Sequence, residues 1–127
     1  MTPLQLSKRR LEKDGWHVEK VEHWNGFARV RQDLFGFADL IAIKGNDCLL
    51  VQTTSAPNLK ARVNKILGLQ TARLWLESPT RRIVVHGWGK RGEGKRKLWR
   101  VNYAQVVMSF QPAMGLTIQP LYVGWLD

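Results

Sequence analysis

The stretch GFADLIAIKGNDCLLVQTTS, residues 36–55, carries an acid, Asp39, at the entrance of one apolar run and an amide and a hydroxyl, Gln52 and Thr54, at the exit of the next. Gly45-Asn46 between the runs suits a type II′ turn, because glycine takes the positive φ of the first central position without strain. Lys44 then pairs with Asp47 and, counting outward, Asp39 with Gln52. Opposed residues share a sheet face with Cβ atoms about 4.5–5.5 Å apart, and Thr54, two residues on, shares that face. A carboxylate, a carbonyl and a hydroxyl at one strand end suit a hard divalent cation. The same composition also suits a solvated strand margin.

The elements that must position these groups are legible from caps and periodicity. TPLQLSKRRLEKDG has Thr2 at an N-cap, Pro3 at the first helical position, Gln5 completing a capping box and Gly15 as a stop, which predicts a helix over about residues 3–14. Leu4 and Leu11 define its buried stripe, and Glu12, about 80° around from Leu4, edges the core. WHVEKVEHW predicts a first strand over about residues 16–24, Asn25-Gly26 a turn, and FARVRQ a continuation of the meander. SAPN announces a loop and a helix start. Leu59, Val63, Ile66, Gln70 and Leu74 then recur at helical spacing and predict a second helix over about residues 58–77, ended before Pro79. RRIVVHGW and KLWRVNYAQVVM read as two further strands. The order α-β-β-β-α-β-β predicts an α/β (α+β) layer with a mixed sheet, in one domain over residues 1–127. The apolar C-terminal QPAMGLTIQPLYVGWLD is expected to pack back or to form a subunit contact.

The charge balance points to a polyanion. Twenty Lys and Arg face 10 Asp and Glu, a formal charge of +10 in 127 residues, and nucleic acid is the first partner such a balance suggests. Arg29 and Arg31 alternate and would project on one strand face. Between residues 81 and 100 lie eight cations against one acid, Glu93, with Trp88 and Trp99 bracketing GKRGEGKRK. Lys90, Arg91, Lys95, Arg96 and Lys97 thus form a basic, glycine-rich ribbon suited to phosphate contacts. Its glycines lack the spacing of a nucleotide-binding P-loop. His17, His23 and His86 lack paired spacing and cysteine companions, so no zinc site is expected, and the single Cys48 is expected to be a buried thiol. No apolar run approaches the ~20 residues that span a bilayer, and MTPLQLSKRR lacks the apolar stretch of a signal peptide, so a cytoplasmic protein without membrane partners is expected.

Taken in order, these parts resemble the PD-(D/E)xK nuclease superfamily, most closely its archaeal Holliday-junction resolvase and virus-type members, over about residues 8–88. Glu12 matches the acid of the family's first helix, GFADLIAI its Asp-bearing strand at Asp39, and LLVQTTS its Glu-x-Lys strand. Gln52 stands where the family usually has Glu, Thr54 where it usually has Lys, and Ala38 where a proline is loosely kept. The resemblance implies a restriction-endonuclease-like fold and Mg²⁺- or Mn²⁺-dependent hydrolysis of DNA phosphodiester bonds, on branched or junction DNA, by a homodimer. In that reading Asp39 is the central metal ligand, Glu12 a direct or water-mediated one, Gln52 a neutral carbonyl ligand, and the backbone oxygen of Thr53 completes the shell. Thr54 offers a hydroxyl in place of the ammonium. Lys60 or Arg62, on the two flanks of the second helix, would supply the missing charge. Asp33 is expected to cap the turn at Gly36, and Glu19 and Glu22 to be surface charges that could stand in for Glu12. Two alternatives from other classes remain open: a catalytically inactive nucleic-acid-binding protein that keeps the nuclease fold, and an assembly subunit that self-associates through its Trp-rich C-terminus.

Overall fold

The computed structural model of the chain describes residues 1–126. Helix α1 (Pro3–Lys13) starts at the expected cap: Thr2 Oγ1 accepts from the Gln5 amide and Gln5 Oε1 from the Thr2 amide. Its buried side chains are Leu6, Ser7 and Leu11. Leu6, which the two-leucine stripe omitted, moves the centre of the buried face to roughly 160° from Glu12 at 100° per residue. Glu12 is therefore exposed, on the outer face of the helix, and not at the edge of the core.

The expected first strand divides. Strand β1 (His17–Lys20) ends before Val21 and Glu22, whose amides both turn to the Asp39 carbonyl, at 2.9 and 3.4 Å. Strands β2 (His23–Asn25) and β3 (Val30–Gln32) pair only with each other, as a small ribbon outside the main sheet. Asn25 Oδ1 closes its turn by accepting from the amides of Phe27 and Ala28.

Strands β4 (Leu40–Lys44) and β5 (Asp47–Ser55) form the expected hairpin, with Lys44 opposite Asp47 and Leu40 opposite Val51. Gly45 has φ +60°, and Asn46 is not among the residues with positive φ, as a type II′ turn requires. A crossover through a 3-10 turn (Ala56–Asn58), helix α2 (Leu59–Leu67) and helix α3 (Gln70–Trp75) leads to strand β6 (Arg81–Arg91), which lies parallel to β5. The single helix expected over 58–77 is broken at Gly68, the C-cap of α2. Strand β7 (Leu98–Gln111) follows, and the C-terminal apolar segment forms strand β8 (Gly115–Leu126). The result is a mixed α+β fold with a six-stranded mixed sheet, ordered β1-β4-β5-β6-β7-β8, flanked by helices.

The central strands are covered on both faces, which explains why LLV and IVV read as continuous apolar runs rather than alternating ones. On one face Leu50, Ile83 and Val85 pack with Val63 and Ile66 of α2 and with Phe37. On the other, Leu49, Val51 and Val84 pack with Leu11, Val18 and Leu40. A third small cluster joins Leu6, Trp88 and Val101. Within it Trp88 Nε1 donates to Ser7 Oγ at 2.7 Å, and Ser7 Oγ lies 2.9 Å from His86 Nδ1. An indole N–H can only donate, so Ser7 Oγ accepts from Trp88 and also pairs with the ring nitrogen of His86. Cys48 is half-buried in β5 and is a free thiol. Among the described residues no helix is long and apolar enough to cross a membrane.

Candidate functional site

The β4–β5 ladder ends one residue short of Asp39. There the Asp39 amide donates to the Val51 carbonyl at 2.8 Å, out of step with the Leu40–Val51 pairing. This irregularity brings the carboxylate against both Gln52 and Thr53. Asp39 Oδ2 accepts from Gln52 Nε2 at 2.9 Å, from the Thr53 amide at 2.9 Å and from Thr53 Oγ1 at 3.0 Å. Asp39 is 4 % exposed and Gln52 3 %.

Two further acids close on this group. Glu22 follows the break after β1 and Asp33 follows β3, so the two elements that depart from a plain meander each deliver one carboxylate. One carboxylate oxygen from each of Glu22, Asp33 and Asp39 lies within 4.8 Å of the others. Three of the chain's ten acids thus meet at one point of a protein with net charge +10, an arrangement that mutual repulsion opposes unless cations hold it. Burial raises the Asp39 carboxyl to about 7, with the neighbouring Asp33 pushing the same way and the Thr53 amide and hydroxyl opposing.

Protein cations compensate part of this charge. Arg31 lies 3.2 Å from Glu22 and Lys20 lies 4.0 Å from it. A hollow of about 700 Å³ opens over the acids, lined by Thr2 to Gln5 of the first turn of α1, by Lys20 and Arg31, and by Arg62 and Lys65 of α2. Gln52 supplies the second notable feature. Its amide nitrogen is used twice, toward Asp39 and, at 3.3 Å, toward the Thr53 carbonyl, whereas its buried Oε1 has no hydrogen-bond partner. A buried acceptor left unmade costs about 1–3 kcal/mol, so it calls for a partner the chain itself does not supply. The three carboxylates offer an all-oxygen donor set of the kind Mg²⁺ or Mn²⁺ takes, and the free Gln52 oxygen belongs to the amide whose nitrogen holds Asp39.

The sequence-predicted residues divide accordingly. Asp39, Gln52, Thr53, Arg31 and Arg62 line one hollow. Glu12 does not: it borders a separate depression with Met1, Gln5, Lys8 and Arg9. Thr54 is buried, lies opposite Gly87 of β6, and is absent from the hollow's lining. The 3-10 turn and the start of α2 close that face, since a Cβ on Gly87 would stand 3.1 Å from both Ala56 Cα and Leu59 Cβ. Lys60 is exposed and also absent from the lining; it sits about 200° around α2 from Arg62, whose flank carries Lys65 instead. Arg29 is in the turn before β3 with φ +54°, so it does not alternate with Arg31 along a strand. Lys65 is not expected at the site from the sequence, whereas Glu22 enters there only as a stand-in for Glu12, and Asp33, a second carboxylate near the site, is expected to cap the turn at Gly36. The signal for Glu22 lies in register: His17 pairs with Ile43 and Lys20 with Leu40, so the residues after Lys20 meet Asp39.

The basic ribbon lies at the same end of the sheet. Thr53 pairs with His86 in the parallel β5–β6 ladder, and Lys90 follows four residues later, about 13 Å along the strand at ~3.3 Å per residue. Lys90, Arg91, Lys95, Arg96 and Lys97 are all exposed. Trp88, expected to bracket the ribbon, is instead core at 6 % exposure. Comparison with family models, with curated proteins and with solved structures finds no match for this chain.

Proposed function

We propose that this chain is a metal-dependent endonuclease acting on DNA, of the PD-(D/E)xK type that its sequence resembles, with branched DNA as substrate. The observation that carries the reading is the buried, unpartnered Gln52 Oε1 beside the Glu22–Asp33–Asp39 cluster. Further support lies in the order α1, β1, β4, β5, α2, β6, with the strand after the crossover helix parallel to the one before it. The helix, the Asp39-bearing strand, the Gln52-bearing strand and the crossover helix follow one another in the order of the family the sequence resembles.

In this reading Asp39, Glu22, Asp33 and the Gln52 carbonyl hold the ion. Mg²⁺ or Mn²⁺ bound there would activate a water and offset charge on the phosphate. Gln52 divides its amide, the nitrogen fixing Asp39 and the oxygen left for the metal. Thr53 fixes the same Asp39 oxygen through its amide and hydroxyl. Arg62 and Lys65 line the same hollow as the acids and in this reading draw the scissile phosphate toward them, the electrostatic task of the missing lysine. The ribbon's cations extend the positive surface along the DNA backbone.

Incubating the purified protein with labelled junction, duplex and single-stranded DNA in Mg²⁺, Mn²⁺ or chelator tests this. Metal-dependent cleavage of the junction is the expected result. Tight binding with no cleavage in either metal would favour the second reading, an inactive nucleic-acid-binding protein. The specific observation behind that alternative is Thr54, which is buried under α2 and has no ammonium to offer.

A further inference from the structure

The β6–β7 connection is more than a charged loop. β5 accompanies β6 only as far as Trp88, opposite Ser55, and β8 accompanies β7 only as far as Val101, opposite Leu126. Beyond these points the ladder continues through Gly89–Arg100, Lys90–Trp99 and Arg91–Leu98, with no described strand on either side. Three pairs extend about 10 Å, and the turn of residues 92–97 lies past them. A two-stranded ribbon therefore projects from the sheet at the end where the acidic hollow opens.

Each face of this ribbon bears an indole with a cation over it. Trp99 follows the side of Val101, and Lys90 Nζ lies 5.2 Å from its ring centroid. Trp125 reaches across from β8 on the opposite side, and Arg91 Cζ lies 4.4 Å from its centroid. The second indole lies close against the ribbon at Gly89, where a Cβ would stand 3.0 Å from Trp125 Cη2 and 3.3 Å from Ala56 Cβ. Both indoles are more than a third exposed, at 39 % and 37 %. Lys90, Arg91, Lys95, Arg96, Lys97 and Arg100 form no ion pair among the described residues, and Glu93 is the one acid between them.

Cations alone would serve any polyanion. Partly open indoles placed among unpaired cations add a surface on which a base can stack, and stacking needs a base outside a duplex. One such surface on each side of a narrow projection matches a place where two strands part. The geometry points to the β6–β7 ribbon as a wedge that enters a DNA branch point and stacks an unpaired base on Trp99 on one side and on Trp125 on the other. This rests on the reading of the chain as a nucleic-acid-acting protein and specifies its substrate as DNA with separated strands.

The test measures binding of the full chain, with chelator present, to a labelled fork, to a fully paired duplex of equal charge, and to the same fork made abasic at the branch. The fork should bind best, and the abasic fork should fall to the level of the duplex. Trp99→Ala and Trp125→Ala should each weaken fork binding about five-fold or more while changing duplex binding less than about two-fold. Gly89→Ala, which displaces the Trp125 ring without removing it, should reproduce the Trp125→Ala loss. Trp125→Phe keeps an aromatic face and should retain most of the affinity if Trp125→Ala fails to fold. Equal affinity for fork, abasic fork and duplex would overturn the wedge, as would tryptophan variants that lose fork and duplex equally. Tryptophan-dependent binding to phosphatidylserine vesicles, without preference among the DNAs, would reassign the ribbon to a lipid surface. Chelator keeps cleavage out of the assay, so an inactive protein can still show the fork preference, and an active nuclease without that preference refutes the wedge alone.

Discussion

Two buried groups should give this protein opposed pH dependences that cancel until one of them is removed. Burial raises Asp39 from 3.8 to about 7. Burial, helped by Arg10, lowers His86 from 6.5 to about 3. Between the two Asp39 values the unfolded chain has released a proton that the folded chain keeps, so stability falls as pH rises, by about 1.4 kcal/mol per unit. Between the two His86 values the unfolded chain binds a proton that the folded chain refuses. Stability there falls as pH drops, by the same ~1.4 kcal/mol per unit. From about pH 4 to about 6.5 the two slopes oppose, and their sum is near zero. Asp39→Asn removes one of them, and the variant's stability relative to the parent should grow by roughly 3 kcal/mol across that window. His86→Asn, whose side-chain amide can still pair with Ser7 Oγ, should shift the balance the other way and lose stability relative to the parent as pH rises. Urea unfolding followed by tryptophan fluorescence at stepped pH, with chelator present and the m-value checked for constancy, measures both. Asp39→Asn and parental curves that run parallel from pH 4 to 6.5 would refute the reasoning.

Glu22→Gln and Asp33→Asn should each weaken Mn²⁺ binding at least ten-fold by calorimetry, whereas Glu12→Gln, on the outer face of α1, should leave it within two-fold. Arg62→Ala with Lys65→Ala should lower kcat for cleavage by about 10²-fold or more with little change in Mn²⁺ affinity, because these cations face the phosphate rather than the metal. Gly87→Ala should cost about 1–3 kcal/mol in urea unfolding, since its Cβ would meet Ala56 and Leu59 at 3.1 Å and the parallel strand and crossover helix must move apart.

The sequence made the local devices legible. The Thr2–Gln5 capping box, the Gly45-Asn46 turn and the register that follows from it are short-range rules, and each has its expected counterpart in the fold. Periodicity was sufficient for the buried face of α2, where Leu59, Val63 and Ile66 recur as expected. It was insufficient for α1, because Leu6 lies off the Leu4–Leu11 line and its burial depends on Trp88 and Val101, far along the chain.

The site was legible only in part for the same reason. Asp39 and Gln52 belong to one hairpin, so turn chemistry alone could bring them together. Glu22 and Asp33 reach Asp39 through the pairing of β1 with β4 and through the β2–β3 ribbon; the Asn25-Gly26 turn announces the ribbon, but no local signal announces that it leaves the main sheet. Thr54 shows the limit of alternation: it shares a face with Gln52, but the start of α2 covers that face one step further along the strand. The apolar C-terminal segment is expected only to pack back or to form a subunit contact, since the pairing of β8 with β7 is specified by the turn of residues 112–114 rather than by its own pattern.

The central claim is that Glu22, Asp33, Asp39 and the free oxygen of Gln52 hold one divalent ion. Titration of Mn²⁺ into the chelator-stripped protein, followed by electron paramagnetic resonance of the free ion, tests it most directly. The account predicts one tight equivalent per chain in the parent, its loss in Asp39→Asn, and clear weakening in Gln52→Leu, which removes the amide oxygen and keeps the bulk. Mn²⁺ binding absent from the parent, or present and unaltered in both variants, would contradict it.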